Sequence, residues 1–166
     1  MTTTNPPPPT TTTPLNEQAE SFKNQGNDFF KQKQYEKAIE LYTKAIEIQP
    51  TSIYYCNRAL NHIHLENYGS ALSDANQAIQ LDVSNPKAYY RRGTSYLALS
   101  KFNEALADFQ KVVQLHPQDK VARTKVALCK QEIRSIQFLK SIESEDQSPL
   151  SQTVDWRSIA INSDYD

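Results

Sequence analysis

Two basic side chains stand four residues apart in the stretch NPKAYYRRGTSYL, which runs from Asn85 to Leu97. On a helix this spacing places Lys87 and Arg91 on one face, where the like charges repel each other slightly. A negatively charged ligand between the two side chains would relieve that repulsion. The chemistry that this pair favours is therefore the binding of an anion such as a carboxylate, through charge-assisted hydrogen bonds.

The composition of the chain argues against several other kinds of function. The 166 residues carry a net charge of -1, so no overall field attracts nucleic acid or a membrane surface. The cysteines and histidines lack the spacing of a zinc site; they are Cys56, Cys129, His62, His64 and His116. No apolar run is long enough for a membrane span, and no signal peptide is recognisable. We therefore expect no cofactor in this chain and a reducing compartment, the cytoplasm and also the nucleus.

By composition the chain divides into a tail, a helical domain and a second tail. Residues 1–15 are mostly Thr and Pro and are expected to be disordered, because they cannot bury enough apolar surface. Residues 16–143 carry helical periodicity and form the predicted domain. Residues 144–166 are polar and acidic apart from the cluster VDWRSIAI, and we expect them to form a flexible linker.

Within the domain one pattern recurs three times, in phase. The small residues Gly26, Ala59 and Gly93 lie 33 and 34 residues apart. An alanine follows each of them by twelve residues and an aromatic residue precedes each by four; these are Ala38, Ala71 and Ala105, and Phe22, Tyr55 and Tyr89. We expect each small anchor to face the alanine twelve positions on, which lets two antiparallel helices pack closely together. Pro50 and Pro117 end the first and third units, because proline cannot continue a helix.

This pattern resembles the tetratricopeptide repeat, a helix-turn-helix unit of about 34 residues. The resemblance implies an all-α fold in which the units stack into a right-handed superhelix with a concave groove lined by the first helix of each pair. The repeats would span about 19–51, 52–85 and 86–119, with a capping helix at about 119–143. His62 stands where the other repeats have Phe29 and Tyr96, so we interpret it as a packing residue. A capped stack of this kind is expected to be a monomer.

Five polar residues of the repeats resemble the carboxylate clamp of tetratricopeptide co-chaperones. They are Lys23, Asn27, Asn57, Lys87 and Arg91. On three neighbouring first helices they would converge on one patch of the concave face, which offers three cations and two amides and no acid. The resemblance implies that this patch binds the C-terminal Glu-Glu-Val-Asp tail of heat-shock protein 90 or heat-shock protein 70. We interpret Arg58 and Arg92, which precede small anchors, as residues of helix packing or of hydrogen bonds between repeats.

Longer stretches are similar to the N-terminal domain of the protein phosphatase 5 family, among them KAYYRRGTSYLALSKFNEALADFQKVV and the tail VDWRSIAINSDYD. In that family the repeat domain folds over the phosphatase active site and inhibits it. By alignment Glu66 would contact the catalytic domain, and His64 replaces an arginine at the rim of the groove. The catalytic signatures Gly-Asp-x-His-Gly and Gly-Asn-His-Glu are absent, so we expect this chain by itself to be neither an enzyme nor a metal-binding protein.

Two interpretations of the whole chain stay open at this point. It is either the regulatory part of a phosphatase whose missing catalytic domain would dock in cis and carry two metal ions, or a free-standing co-chaperone or scaffold. A reading frame that continues past Asp166 into Gly-Asp-x-His-Gly would decide for the first interpretation.

Overall fold

The structure is a computed structural model that describes residues 14–146, with side chains described for residues 14–143. Seven α-helices, and no strand, occur among these residues. The helices are α1 (Pro14–Lys31), α2 (Tyr35–Ile48), α3 (Ser52–His64), α4 (Tyr68–Leu81), α5 (Pro86–Ala98), α6 (Phe102–Leu115) and α7 (Lys120–Asp146). They form three helix-turn-helix pairs and a final long helix, which confirms the predicted all-α fold.

Both ends of the helical domain extend beyond their predicted bounds. Helix α1 begins at Pro14, inside the predicted tail, since proline is well tolerated in the first turn of a helix. Helix α7 continues to Asp146, past the predicted end at residue 143, because no glycine or proline interrupts it. The rest of the two predicted tails, residues 1–13 and 147–166, lies outside the described residues.

The two helices of a repeat pack closely at the small anchor residues. A Cβ added to Gly26 would lie 3.0 Å from Tyr42 Cε1, and one added to Gly93 would lie 3.1 Å from Asp108 Cβ. These distances are shorter than most contacts of a real Cβ, so a side chain at either glycine would force its neighbour to move; the predicted close approach is confirmed. The nearest neighbours are side chains fifteen or sixteen residues on, however, and not the alanines twelve residues on that the pattern suggested. Those alanines are fully buried as well.

The turn inside each repeat has one backbone conformation. Lys33, Glu66 and Ser100, each seven residues after its anchor, have φ values of 60°, 58° and 57°. In each turn the backbone amide of the next residue donates to a carbonyl five residues earlier, at 2.9, 2.8 and 2.9 Å. A left-handed conformation is unfavourable for a residue with a side chain. Its recurrence at three chemically different residues indicates that the packing of the helix pair imposes it.

Side-chain caps begin the first helices of the second and third repeats. Thr51 Oγ1 accepts a hydrogen bond from Tyr54 N at 3.3 Å, and Asn85 Oδ1 accepts one from Lys87 N at 3.0 Å. Asn85 Nδ2 also donates to Ser52 Oγ at 2.8 Å. This bond ties the start of α5 to α3, and it thereby sets the position from which Lys87 projects.

Helix α7 covers the end of the stack with its first half. Ala122 and Cys129 are fully buried, whereas Ile136, Phe138 and Leu139 are exposed. Apolar residues along α7 are therefore packed only in its first half, because α7 has 27 residues and its neighbour α6 has 14. None of the described helices is both long and apolar enough to cross a membrane.

Candidate functional site

The polar faces of α1 and α3 meet on one side of the stack. Glu20, Lys23 and Asn27 share one face of α1, and Tyr54 and Asn57 share one face of α3, because residues three or four apart on a helix are neighbours on its surface. Tyr54 Oη donates to Glu20 Oε1 at 2.7 Å and joins the two faces directly. The seam between these helices therefore carries three of the five predicted clamp residues.

Lys23 has an acidic partner that the sequence analysis did not assign. Its ammonium group contacts the carboxylate of Glu20, three residues earlier on α1. The hydrogen bond from Lys23 and the one from Tyr54 together hold the pKa of Glu20 below its usual value. The expectation of a patch without an acid is therefore wrong at this corner of the groove. The spacing of three residues on one helix is the sequence signal that could have revealed the pair.

Asn27 is held by a tyrosine from the second helix of its own repeat. Tyr42 Oη donates to Asn27 Oδ1 at 2.7 Å, and the tyrosine side chain is 2% exposed. Burial raises the pKa of Tyr42 to about 12, so its hydroxyl stays protonated at neutral pH. The amide nitrogen of Asn27 keeps both of its N–H donors for another partner.

Asn57 and Lys87 line one cavity of about 430 Å³ between α3 and α5. Cys56, His116 and the exposed acid Asp82 contribute to the same wall. Burial raises the pKa of the Cys56 thiol to about 11, so the thiol is neutral and adds no negative charge. Lys87 is exposed, and no carboxylate of residues 14–143 forms an ion pair with it. Its charge is therefore available to a ligand.

Arg91 differs from the other two arginines on the first helices. Arg58 donates to both carboxylate oxygens of Asp74, at 2.9 and 2.7 Å, and Arg92 binds Asp108 at the same two distances. These contacts confirm that Arg58 and Arg92 serve helix packing. Arg91 is half-buried, yet no carboxylate of the described side chains pairs with it and its Nε has no hydrogen-bond partner. Burial lowers the pKa of Arg91, and a bound carboxylate would supply the missing counter-charge.

A second cavity, of about 420 Å³, adjoins the two cations of α5. Tyr90, Val112 and Val121 line it beside Lys87 and Arg91, and so does the acidic residue Asp119. This cavity is not predictable from the sequence, because its wall is assembled from three different helices. It offers space for an apolar side chain of a ligand whose carboxylate reaches Arg91.

The two further residues assigned from the resemblance lie at the end of α3. Glu66 is exposed in the turn that leads to α4. The ring of His64 stacks on Tyr35, with centroids 4.7 Å apart and planes inclined by 3°, and it lies 5.5 Å from the ring of Phe30. His64 thus packs against the turn of the first repeat, and its role at the groove rim stays a prediction.

The arrangement of cations and amides on the first helices is suited to binding an anionic ligand. Lys87 and Arg91 present two positive charges without a bound acid, and Asn27 and Asn57 add amide groups nearby. Such groups hold carboxylates through charge-assisted hydrogen bonds. Over the described side chains, no group of three or more His, Cys, Asp or Glu residues is arranged to hold a metal ion.

Comparison with known proteins links both the fold and the tail to one family. A family model for the tetratricopeptide repeat matches residues 19–52 and 86–119. A second model, described as the PPP5 TPR repeat region, matches residues 126–166. Serine/threonine-protein phosphatase 5 from Homo sapiens is 42% identical over 149 residues, which are 89% of this chain and 30% of that protein. The chain spans about a third of the length of the curated relatives it matches.

Two solved structures with bound peptides are similar to the described fold. The first TPR of Spaghetti (RPAP3), bound to the HSP90 peptide SRMEEVD, has a TM-score of 0.70 and 35% identity, over 71% of this chain and 97% of that chain. The second TPR domain of the human RPAP3 protein, in complex with the HSP70 peptide SGPTIEEVD, has a TM-score of 0.67 and 42% identity, over 70% of this chain and 98% of that chain. The chain therefore belongs to the tetratricopeptide-repeat family, and within that family it is similar to the repeat region of protein phosphatase 5.

Proposed function

We propose that the groove binds the free C-terminal tail of heat-shock protein 90 or heat-shock protein 70 through a two-carboxylate clamp. The clamp residues are Lys23, Asn27, Asn57, Lys87 and Arg91. The observation that carries the proposal is Arg91, a half-buried guanidinium without a counter-ion among the described residues, next to an unpaired Lys87. The two peptides bound by the similar RPAP3 domains both end in Glu-Glu-Val-Asp, which supports a ligand of this kind.

A C-terminal aspartate offers two carboxylates, one on the main chain and one on the side chain. The positive charges of the groove lie in two places, Lys23 on α1 and the pair Lys87 and Arg91 on α5, with Asn57 on α3 between them. Each place can hold one carboxylate, so a free C-terminus satisfies both. A C-terminal aspartate whose main-chain carboxylate is amidated offers only its side-chain carboxylate.

The affinity expected from these contacts is modest. Each charge-assisted hydrogen bond contributes about 1.5–3 kcal/mol, and ordering and association offset much of the sum. A net free energy of about -7 to -8 kcal/mol corresponds to a dissociation constant on the order of micromolar. The test is calorimetric titration of a peptide that ends in Glu-Glu-Val-Asp, beside the same peptide with a C-terminal amide.

The expected result is binding of the acid peptide and not of the amide. A double variant, Lys87→Ala with Arg91→Ala, is expected to abolish binding. The matched control removes two charges at a different element, through Lys101→Ala at the N-cap of α6 and Lys111→Ala within α6, and it should bind as the unaltered chain does. Equal binding of the acid and the amide, or full binding by the Lys87 and Arg91 variant, would contradict the clamp.

We further propose that the chain is the regulatory and targeting part of a serine/threonine phosphatase of the protein phosphatase 5 type. The match of residues 126–166 to the PPP5 region favours this over a free-standing co-chaperone or scaffold. Glu66 would contact the catalytic domain, which would supply two metal ions of its own, and the exposed position of Glu66 leaves it accessible for that contact. In a longer protein with such a domain, Glu66→Ala should raise the basal phosphatase activity without changing tail affinity. Unchanged basal activity would argue against an inhibitory role for Glu66.

A further inference from the structure

The hydroxyl of Tyr42 is the unusual feature of the first repeat. Tyr42 is a core residue, and its ring contacts the anchor Gly26 closely enough that an added Cβ would lie 3.0 Å away. Its hydroxyl donates to Asn27 Oδ1 on α1 at 2.7 Å. One buried side chain therefore connects the packing of the repeat to a residue of the proposed clamp.

The other repeats show that packing alone does not require this hydroxyl. The residue sixteen positions after the anchor is Tyr42 in the first repeat, Ala75 in the second and Phe109 in the third. Phe109 is fully buried, and its ring contacts the anchor Gly93 in the same way, at 3.3 Å from an added Cβ. A phenylalanine ring thus satisfies the core at this position.

The hydroxyl and its partner occur together in the first repeat. The residue that directly follows the anchor is Asn27 in the first repeat, where the other two repeats have Leu60 and Thr94. The two repeats that lack an asparagine directly after the anchor also lack a tyrosine sixteen positions after it. The Tyr42 hydroxyl is therefore linked to Asn27 and not to the packing of the core.

An asparagine amide is ambiguous towards a carboxylate, because one end donates hydrogen bonds and the other accepts them. If Asn27 turned its oxygen to a ligand carboxylate, the two oxygens would repel each other. The donated bond from Tyr42 occupies Oδ1 and leaves the N–H donors of Nδ2 for the ligand. We propose that Tyr42 is a positioning residue that fixes Asn27 in the donor orientation for a ligand carboxylate. This inference rests on the proposed function of the groove.

The test is the variant Tyr42→Phe, which removes one oxygen atom and keeps the ring that Phe109 shows to be compatible with the core. Calorimetry with the acid Glu-Glu-Val-Asp peptide should show binding weakened about five-fold, the effect of one lost hydrogen bond. In an Asn27→Ala background, Tyr42→Phe should cause no further loss, because the amide that it orients is gone. A purely structural role would weaken binding equally in both backgrounds.

The matched control is Tyr89→Phe, which removes a hydroxyl that donates to the backbone carbonyl of Val83 at 3.1 Å. It should leave the affinity unchanged. Affinity of Tyr42→Phe within two-fold of the unaltered chain, or an equal loss in the Asn27→Ala background, overturns the positioning role while the clamp stands. Failure of the unaltered chain to bind the acid peptide overturns the proposed function, and this inference with it.

Discussion

Arg92 and Asp108 form a bidentate pair across the third repeat, with Nε to Oδ2 at 2.9 Å and Nη2 to Oδ1 at 2.7 Å. The second repeat contains the same pair in Arg58 and Asp74. Each pair joins the first helix of a repeat to the second at the level of the small anchor. The neighbouring Arg91 has no such partner among the described side chains, and this contrast separates the arginines that hold the fold from the one that is left for a ligand.

The variant Asp108→Asn is expected to destabilise the fold. It leaves Arg92 partly buried without a counter-charge. Loss of one partner of a fully buried pair lowers the free energy of unfolding by about 3–5 kcal/mol. We expect a loss of about 2–3 kcal/mol here, because the arginine is partly exposed. Urea denaturation followed by circular dichroism measures this change in the free energy of unfolding. The control is Glu104→Gln, an exposed acid on the same helix, which should change stability by less than about 0.5 kcal/mol. Equal effects of the two variants would show that the pair adds nothing specific.

The variant Glu20→Gln is expected to strengthen binding of the acid peptide. In the unliganded groove the carboxylate of Glu20 holds the ammonium group of Lys23, so a ligand carboxylate must compete with it. Exposed pairs of this kind contribute about 0.2–1 kcal/mol, which corresponds to a gain of up to about five-fold in affinity.

Calorimetry with Glu20→Gln and with the control Glu17→Gln measures this gain. Glu17 is an exposed acid of the same helix, and its loss should leave affinity nearly unchanged. Weaker binding by Glu20→Gln would instead mean that Glu20 holds Lys23 in its binding position.

Binding of the acid tail is expected to weaken as salt rises. The groove is open to solvent, Lys87 is exposed, and the screening length falls from about 14 Å at 0.05 M to about 4 Å at 0.5 M salt. Titrations at several sodium chloride concentrations in this range should give a steady decline in affinity. Affinity that is independent of salt would argue against a charge-based clamp.

The stability of the domain is expected to fall as pH is lowered through 6.5. His62 is half-buried, and this burial lowers its pKa below the ordinary value of 6.5, although Asp74, at 3.8 Å, opposes the shift and Arg58 adds to it. The unfolded chain therefore binds a proton at a pH where the folded chain does not. As pH falls from 6.5 towards the folded pKa, protonation favours the unfolded state and the free energy of unfolding decreases.

Urea denaturation at about pH 8 and about pH 5.5 measures this loss. The variant His62→Tyr places the residue found at the equivalent position of the third repeat, Tyr96. It should remove the loss of stability that protonation of His62 causes. His116→Gln, which replaces an exposed histidine, should retain it. A pH dependence that persists in His62→Tyr would assign the loss to other groups.

Much of the fold follows from the sequence because its signals are local. The spacing of Gly26, Ala59 and Gly93, with aromatic residues and alanines at constant distances, predicts the helix pairs and their order. Each helix forms from contacts between residues three and four apart, so the apolar periodicity within each repeat is enough to predict it. The positions of Lys23, Asn27, Asn57, Lys87 and Arg91 also follow from the sequence, by their register in the repeat and by resemblance.

Contacts between helices were decided by the tertiary structure. Arg91 and Arg92 are adjacent in sequence, yet Arg92 pairs with Asp108 while Arg91 forms no ion pair with a described carboxylate, because each residue along a helix points about 100° away from the last. The bond from Tyr42 to Asn27 and the cavity beside Lys87 depend in the same way on the angles and distances at which helices pack. Those angles result from many side chains at once, so the local pattern predicts where the clamp residues lie, while only the packed helices determine which of them are left unpaired.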